Sequence, residues 1–247
     1  MSSNDYQNML TIYGRKPVLE ALQDPSLTVH KVHLADSNRN SDIIGQIERA
    51  CASQAITINR IDRRQLSRIS RNGKQDQGAA ADLQLENYQT LDKFLASYAA
   101  TEKDRFLVLD GITNPQNVGM ILRSVAAAGI TGAVVPDKGC ASLGPLVIKA
   151  SAGALFHCPI LHCATVADAI DALCSAGVAL YTLAADANNC ITKTAFNEPS
   201  AFVLGNETSG VTGSVTQRAA GAVSIPMHNG VESLNVAVAA ALVCYLT

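Results

Sequence analysis

From Phe106 to the end of the chain, short apolar runs alternate with helical patterns, and this rhythm restricts the fold more than any other feature. The runs are Phe106–Leu109, Ala133–Val135, Ala179–Leu183, Ala201–Leu204 and Ala222–Ile225, with Pro159–Leu161 as a sixth. Helical stretches fall near Val118–Ala128, Pro145–Ser151, Val166–Ser175 and Thr212–Ala219, and a last one closes the chain. Strands that are apolar throughout, separated by helices, predict an α/β fold with a parallel sheet covered on both faces. Ligands of such sheets sit at the carboxyl ends of the strands, so the loops there carry the chemistry.

The last of these loops is the most informative. The strand Ala222–Ile225 is stopped by Pro226, which has no N–H for a ladder, and Asn229-Gly230 signals a turn. Ser233 is placed to cap a helix whose body, from Val236 to Tyr245, has no polar face. Such a helix should be buried all round, against its own core or a partner chain. Its apolar run is about half of the ~20 residues that a membrane span needs. The loop before it sets backbone polar groups beside an apolar floor, the makings of a small-molecule pocket.

The first part of the chain reads as a separate α/β unit, residues 1–86. Residues 1–10 look polar and loose, and a short helix from Tyr13 has Pro17 in its first turn. Strands at Val29–Leu34, Ile56–Ile61 and Ala79–Leu85 and helices at Ser41–Ser53 and Arg63–Ser70 complete it. Residues 87–103 are expected to be a linker, with a helical stretch at Leu91, Phe94 and Leu95, before the larger domain at 104–247.

The net charge of −2 and the absence of Trp give no whole-chain argument for nucleic acid. Locally it is different: Arg60, Arg63, Arg64, Arg68, Arg71 and Lys74 face only Asp62 between them. Arg64, Arg68 and Arg71 share one helical face, either a solvated surface or a ridge for phosphates. The seven cysteines form no CxxC pair and suit free thiols in a reducing, cytoplasmic setting, with no zinc site. No basic-then-apolar leader opens the sequence, so neither export nor a membrane is expected.

Two more loops carry chemistry. Asp110 to Arg123 contains an Asn114-Pro115 turn and Asn117, a candidate helix cap, with Arg123 among apolar neighbours. Leu204-Gly205-Asn206-Glu207-Thr208-Ser209-Gly210 brackets a carboxylate with glycines just past a buried strand. It has no GKS/T ending, and no GxGxxG occurs, which disfavours a nucleoside triphosphate and a dinucleotide dehydrogenase.

In this order and spacing the three loops closely resemble the three motifs of the SpoU (TrmH-like) RNA 2′-O-ribose methyltransferases of the SPOUT superfamily. The matching positions are Asn114, Pro115, Asn117, Val118, Gly119 and Arg123; Leu204, Gly205, Glu207 and Gly210; and Ile225-Pro226-Met227 with Ser233-Leu234-Asn235-Val236. Lys149 to Ala154 is a weaker match. The opening unit, with Ile12-Tyr13-Gly14 and Pro17 to Leu22, resembles the L30e-like RNA-binding domain that some members carry. It departs from them at Gln77-Gly78-Ala79-Ala80-Ala81-Asp82.

The resemblance implies a SPOUT-type parallel sheet tied into a trefoil knot, with S-adenosylmethionine bound at the knot by Leu204, Gly205, Asn206, Ile225, Met227 and Leu234. It also implies catalytic roles for Arg123, Asn117, Glu207, Ser233 and Asn235, with Glu207 orienting Arg123 or the loop beside it. A homodimer with both sites near its interface, no metal, and an RNA substrate follow in the same way. The branch most similar methylates a guanosine of 23S rRNA. A tRNA ribose methyltransferase, a resistance-type rRNA adenosine methyltransferase and a non-catalytic RNA-binding assembly factor stand as alternatives.

Overall fold

The computed structural model describes residues 8–38 and 41–247. The chain divides into two units, residues 8–86 with Leu143–Pro145, and Asn87–Ser142 with Leu146–Thr247.

The first unit runs β1 (Met9–Tyr13), α1 (Arg15–Gln23), β2 (Thr28–Ala35), α2 (Asp42–Ser53), β3 (Thr57–Ile61), α3 (Arg63–Ser70) and β4 (Ala79–Gln84). Its sheet has the order β1-β4-β2-β3, with β4 antiparallel to both neighbours and β2 parallel to β3. Ile12, Val32, Leu34, Ile47 and Leu66 fill the core.

Of the residues expected to be loose, 1–7 lie outside the described residues. Met9 and Leu10 instead pair with Gln84 and Leu83 in β1. The reason is the open edge of β4, which the alternating Met9–Tyr13 covers with Leu10, Ile12 and Tyr13 buried. The first helix begins at Arg15, because Gly14 has φ 97°, a conformation no helix continues.

On α3, Asp62 caps the helix by accepting from Arg64 N at 2.7 Å and Gln65 N at 3.0 Å. Arg60 is paired with Glu48, and Arg63 lies 3.6 Å from the buried Asp76. Arg64, Arg68 and Arg71 are exposed and have no acidic partner among the described residues.

The second unit opens with β5 (Tyr88–Thr90), α4 (Leu91–Ala96), β6 (Arg105–Leu109), α5 (Pro115–Ala128), β7 (Gly132–Pro136) and α6 (Pro145–Ala150). It continues with β8 (Ile160–Cys163), α7 (Val166–Ser175), β9 (Ala179–Leu183), β10 (Asn189–Cys190), β11 (Ser200–Leu204), α8 (Gly213–Arg218), β12 (Gly221–Ser224) and α9 (Val236–Leu246). Its eight strands are ordered β10-β12-β9-β11-β6-β7-β8-β5, and every pairing is parallel. β6, β7 and β11 are almost wholly buried, as strands with helices on both faces must be.

The stretch read as a linker therefore holds an edge strand, where Tyr88 stacks on His162 with ring centroids 4.7 Å apart, and a helix anchored by the buried Leu91.

The register of the sheet positions the loops. Leu204 lies opposite Leu109, so the chain leaves β11 and β6 side by side. β9 flanks β11 on its other side, and β12 flanks β9. Four strand ends thus share one edge. Among the described residues no helix is long and apolar enough to cross a membrane, and no group of His, Cys, Asp and Glu is arranged to hold a metal.

Candidate active site

Two side chains tie the loop after β6 to the loop after β11. Asp110, buried at the end of β6, accepts from Thr212 N at 2.6 Å and Thr212 Oγ1 at 2.9 Å. Asn206 donates to the Gly111 carbonyl at 2.8 Å, while its own Oδ1 accepts from Thr208 N at 2.9 Å. Reciprocal backbone hydrogen bonds of 2.9 and 2.8 Å between Asn206 and Gly210 close the second loop tightly. A side chain at Gly205 would collide with the backbone of Gly210 and Val211, so close approach is what requires glycine there.

The two helix caps differ from the sequence reading. Asn114, not Asn117, caps α5, accepting from Gln116 N at 2.9 Å, with Pro115 in the first turn. Asn117 is thereby released for another use: its Nδ2 donates to Glu207 Oε1, and its Oδ1 accepts from Asn235 Nδ2 at 3.1 Å. Asn235 in turn accepts from Ala237 N at 2.9 Å, which makes it, rather than Ser233, the cap of α9. One chain of amide hydrogen bonds thus joins all three loops, and its end is the Glu207 carboxylate.

A cleft of about 210 Å³ opens beside that carboxylate. All six residues expected to hold a cofactor line it: Leu204, Gly205, Asn206, Ile225, Met227 and Leu234. Glu207 and Ser233 line it as well, and Asn117 and Asn235 connect to it through Glu207. The sequence reading missed three contributors to the site: Asp110 with its partner Thr212, the wall formed by Leu183–Ala185 after β9, and Glu232. Asp110 is the first polar residue after an apolar run, a signal available in the sequence, whereas Thr212 was legible only as the start of a helical stretch.

Arg123 stands apart. It is exposed on α5, is not among the residues lining the cleft, and forms no hydrogen bond or ion pair among the described residues. The expected contact with Glu207 is not made within the chain: the donor recorded on that carboxylate is the Asn117 amide.

Within a single chain the terminal helix is buried on one face only. Val236, Ala237, Ala240, Val243 and Cys244 are buried, and α9 packs on α5. Yet Val238 is 49% exposed and Tyr245 63%, with Met120 of α5 exposed as well. The seven cysteines are free, and burial pushes the Cys244 thiol up to about 11, leaving it protonated and inert.

The family model of the SpoU rRNA Methylase family matches residues 104–245, and that for RNA 2′-O ribose methyltransferase substrate binding matches residues 11–89. A relative from Staphylococcus saprophyticus named as a TrmH family tRNA/rRNA methyltransferase is 30% identical over 237 residues, 96% of this chain and 94% of the relative. A tRNA/rRNA methyltransferase of Mycolicibacterium vanbaalenii is 34% identical over 235 residues, 94% of this chain and 74% of the relative. Among solved structures, the SpoU methyltransferase AviRb from Streptomyces viridochromogenes, in complex with the cofactor AdoMet, superposes with a TM-score of 0.63 at 21% identity. That match covers 97% of this chain and 89% of that one, and it bears on the fold. The all-parallel sheet, the three joined loops and these matches lead to one statement: the chain belongs to the SpoU rRNA methylase family of RNA methyltransferases.

Proposed function

We propose that this chain transfers a methyl group from S-adenosylmethionine to a ribose 2′-hydroxyl of RNA, at a guanosine of 23S rRNA. The observation that carries the proposal is the convergence of Leu204, Gly205, Asn206, Ile225, Met227 and Leu234 on one cleft with Glu207 at its wall. The cleft suits the cofactor. Leucine, isoleucine and methionine side chains offer it an apolar bed, the glycine-bracketed loop offers backbone groups, and no Lys, Arg or His lines the wall to repel a cation.

Bound there, the cofactor supplies a methyl group activated by its sulfonium, so the protein's task is alignment. The Asn117–Asn235 pair fixes the Glu207 carboxylate, and Ser233 offers a hydroxyl to the incoming ribose. A charged guanidinium has no lone pair with which to take the hydroxyl proton. The hydroxyl would give up its proton to solvent water as its oxygen takes the methyl group, and Arg123 is assigned instead to the phosphate beside the target ribose, where it stabilises the developing alkoxide.

Because Arg123 is exposed and outside its own chain's cleft, this role is assigned within a homodimer, Arg123 serving the site of the second copy. The uncovered Met120, Val238 and Tyr245 of α5 and α9 support such a dimer. The arginine face of α3, within the stretch matched to substrate binding, is assigned to RNA phosphates.

Mapping ribose methylation by mass spectrometry in rRNA and tRNA from a deletion strain tests the whole reading. Loss of one 2′-O-methylguanosine from 23S rRNA is the expected result. A mark lost from tRNA alone moves the substrate to tRNA, the reading that the relatives' broader names leave room for. No lost mark, together with a purified chain that ignores S-adenosylmethionine, leaves a non-catalytic RNA-binding factor.

A further inference from the structure

We infer that Glu232 gives the cleft a preference for the cationic methyl donor over its demethylated product. The inference rests on the cleft being the S-adenosylmethionine site.

The wall of the cleft carries two carboxylates, Glu207 and Glu232, and no basic side chain. Their situations differ. Glu207 accepts from the Asn117 amide, which Asn235 holds in place, so part of its capacity is committed to the protein. Glu232 has no hydrogen-bond or ion-pair partner among the described residues. It lies on the loop that runs from Met227 to Leu234, two residues of the cofactor cleft, immediately before Ser233.

The donor and the product share adenosine, an ammonium and a carboxylate. They differ by one methyl group and by the positive charge on sulfur, so shape discriminates weakly and charge is the available handle. Glu232 is exposed, so water screens it on one side, but on the other it borders a cleft with Leu183, Ile225 and Leu234 in its wall, where screening is weaker than in bulk water. Transfer of the methyl abolishes the sulfonium charge, and the attraction from Glu232 ends in the same event. The side chain therefore favours loading of the donor and release of the product, without touching the RNA.

Isothermal titration calorimetry on the full chain separates this from a merely solvated loop carboxylate. Wild type, Glu232→Gln and Glu232→Lys are each titrated with S-adenosylmethionine, S-adenosylhomocysteine and sinefungin, which carries an amine in place of the sulfonium. In Glu232→Gln the donor should bind about threefold more weakly while the product is unchanged, the size expected of a partly exposed ion pair. Sinefungin should follow the donor, and Glu232→Lys should widen the effect. Equal weakening of all three ligands, or no change in any, overturns the inference. If the wild type binds none of them, the cofactor reading of the cleft falls, and the inference with it.

Discussion

Helices α3 and α9 are opposites in what they leave in water. α3 carries three arginines, at positions 63, 64 and 68, and buries only Leu66 and Ser70. α9 carries no charge, buries one face against its own unit and leaves Val238 and Tyr245 in water. An exposed guanidinium is content in water, so α3 is stable as it stands and suits a partner that comes and goes. An exposed apolar helix face has no such reason to stay uncovered, which is why the proposed dimer is built on α9. The first helix thus fits a transient polyanion and the second a second copy of the chain.

The largest effect expected from this contrast comes at α9. Val238→Glu would place a carboxylate in the proposed dimer contact, where an unpaired charge costs several kcal/mol. Dimer affinity should fall by at least about a hundredfold in sedimentation velocity, and methylation should fall with it if Arg123 serves the second copy. A monomeric wild type at micromolar concentration breaks this half of the contrast.

A smaller effect is expected at α3. Replacing Arg64, Arg68 and Arg71 with alanine should lower the slope of log affinity against log salt, for a single-stranded rRNA fragment, by about 2, near 0.7 per phosphate lost. S-adenosylmethionine should bind the triple variant as it binds wild type. An unchanged salt slope would return α3 to a plain solvated face.

How much of this was legible beforehand differs between the sheet and the site. Strands buried on both faces must be apolar throughout, so β6, β7 and β11 stand out in the sequence, while the half-buried β9 and β12 show as shorter apolar runs between helical stretches. The edge strands do not: β5 has three residues and β10 two, too few to show a period. At the site, glycine, asparagine and proline punctuate the loops clearly, but the partnerships bridge long separations. Asn117 meets Glu207 across 90 positions and Asn235 across 118, and Asp110 meets Thr212 across 102. The caps show the same limit. Asn114 and Asn117, like Ser233 and Asn235, are pairs of competent caps within three residues, and local preference does not choose between them. What chooses is the tertiary hydrogen bond that Glu207 accepts from Asn117. For Glu232, neither charge nor spacing distinguishes it from a surface carboxylate; only the shared wall of the cleft does.

The smallest effect sets the two units against each other through one carboxylate in each. Burial opposes the charge on Asp82, but hydrogen bonds from His33 and Thr11 outweigh it, with Lys31 nearby, and hold the carboxyl below its ordinary value. Burial likewise opposes the charge on Asp104, and donors from Thr101, Tyr98 and Thr131 outweigh it. A folded pKa below the unfolded value of about 3.9 contributes stability that is complete well above that pH. The contribution is lost as pH falls through the folded value. Asp82→Asn should therefore cost about 1 kcal/mol at neutral pH, a cost that fades in acid once the wild-type carboxyl is itself protonated. Hydrogen exchange resolved by region gives the sharper reading. Asp82→Asn should loosen β1, β2 and β4 and leave β6 and β7 as they were, and Asp104→Asn should do the reverse. If either substitution loosens both sheets alike, the two units fold as one cooperative body, and the contrast between α3 and α9 belongs to a single domain.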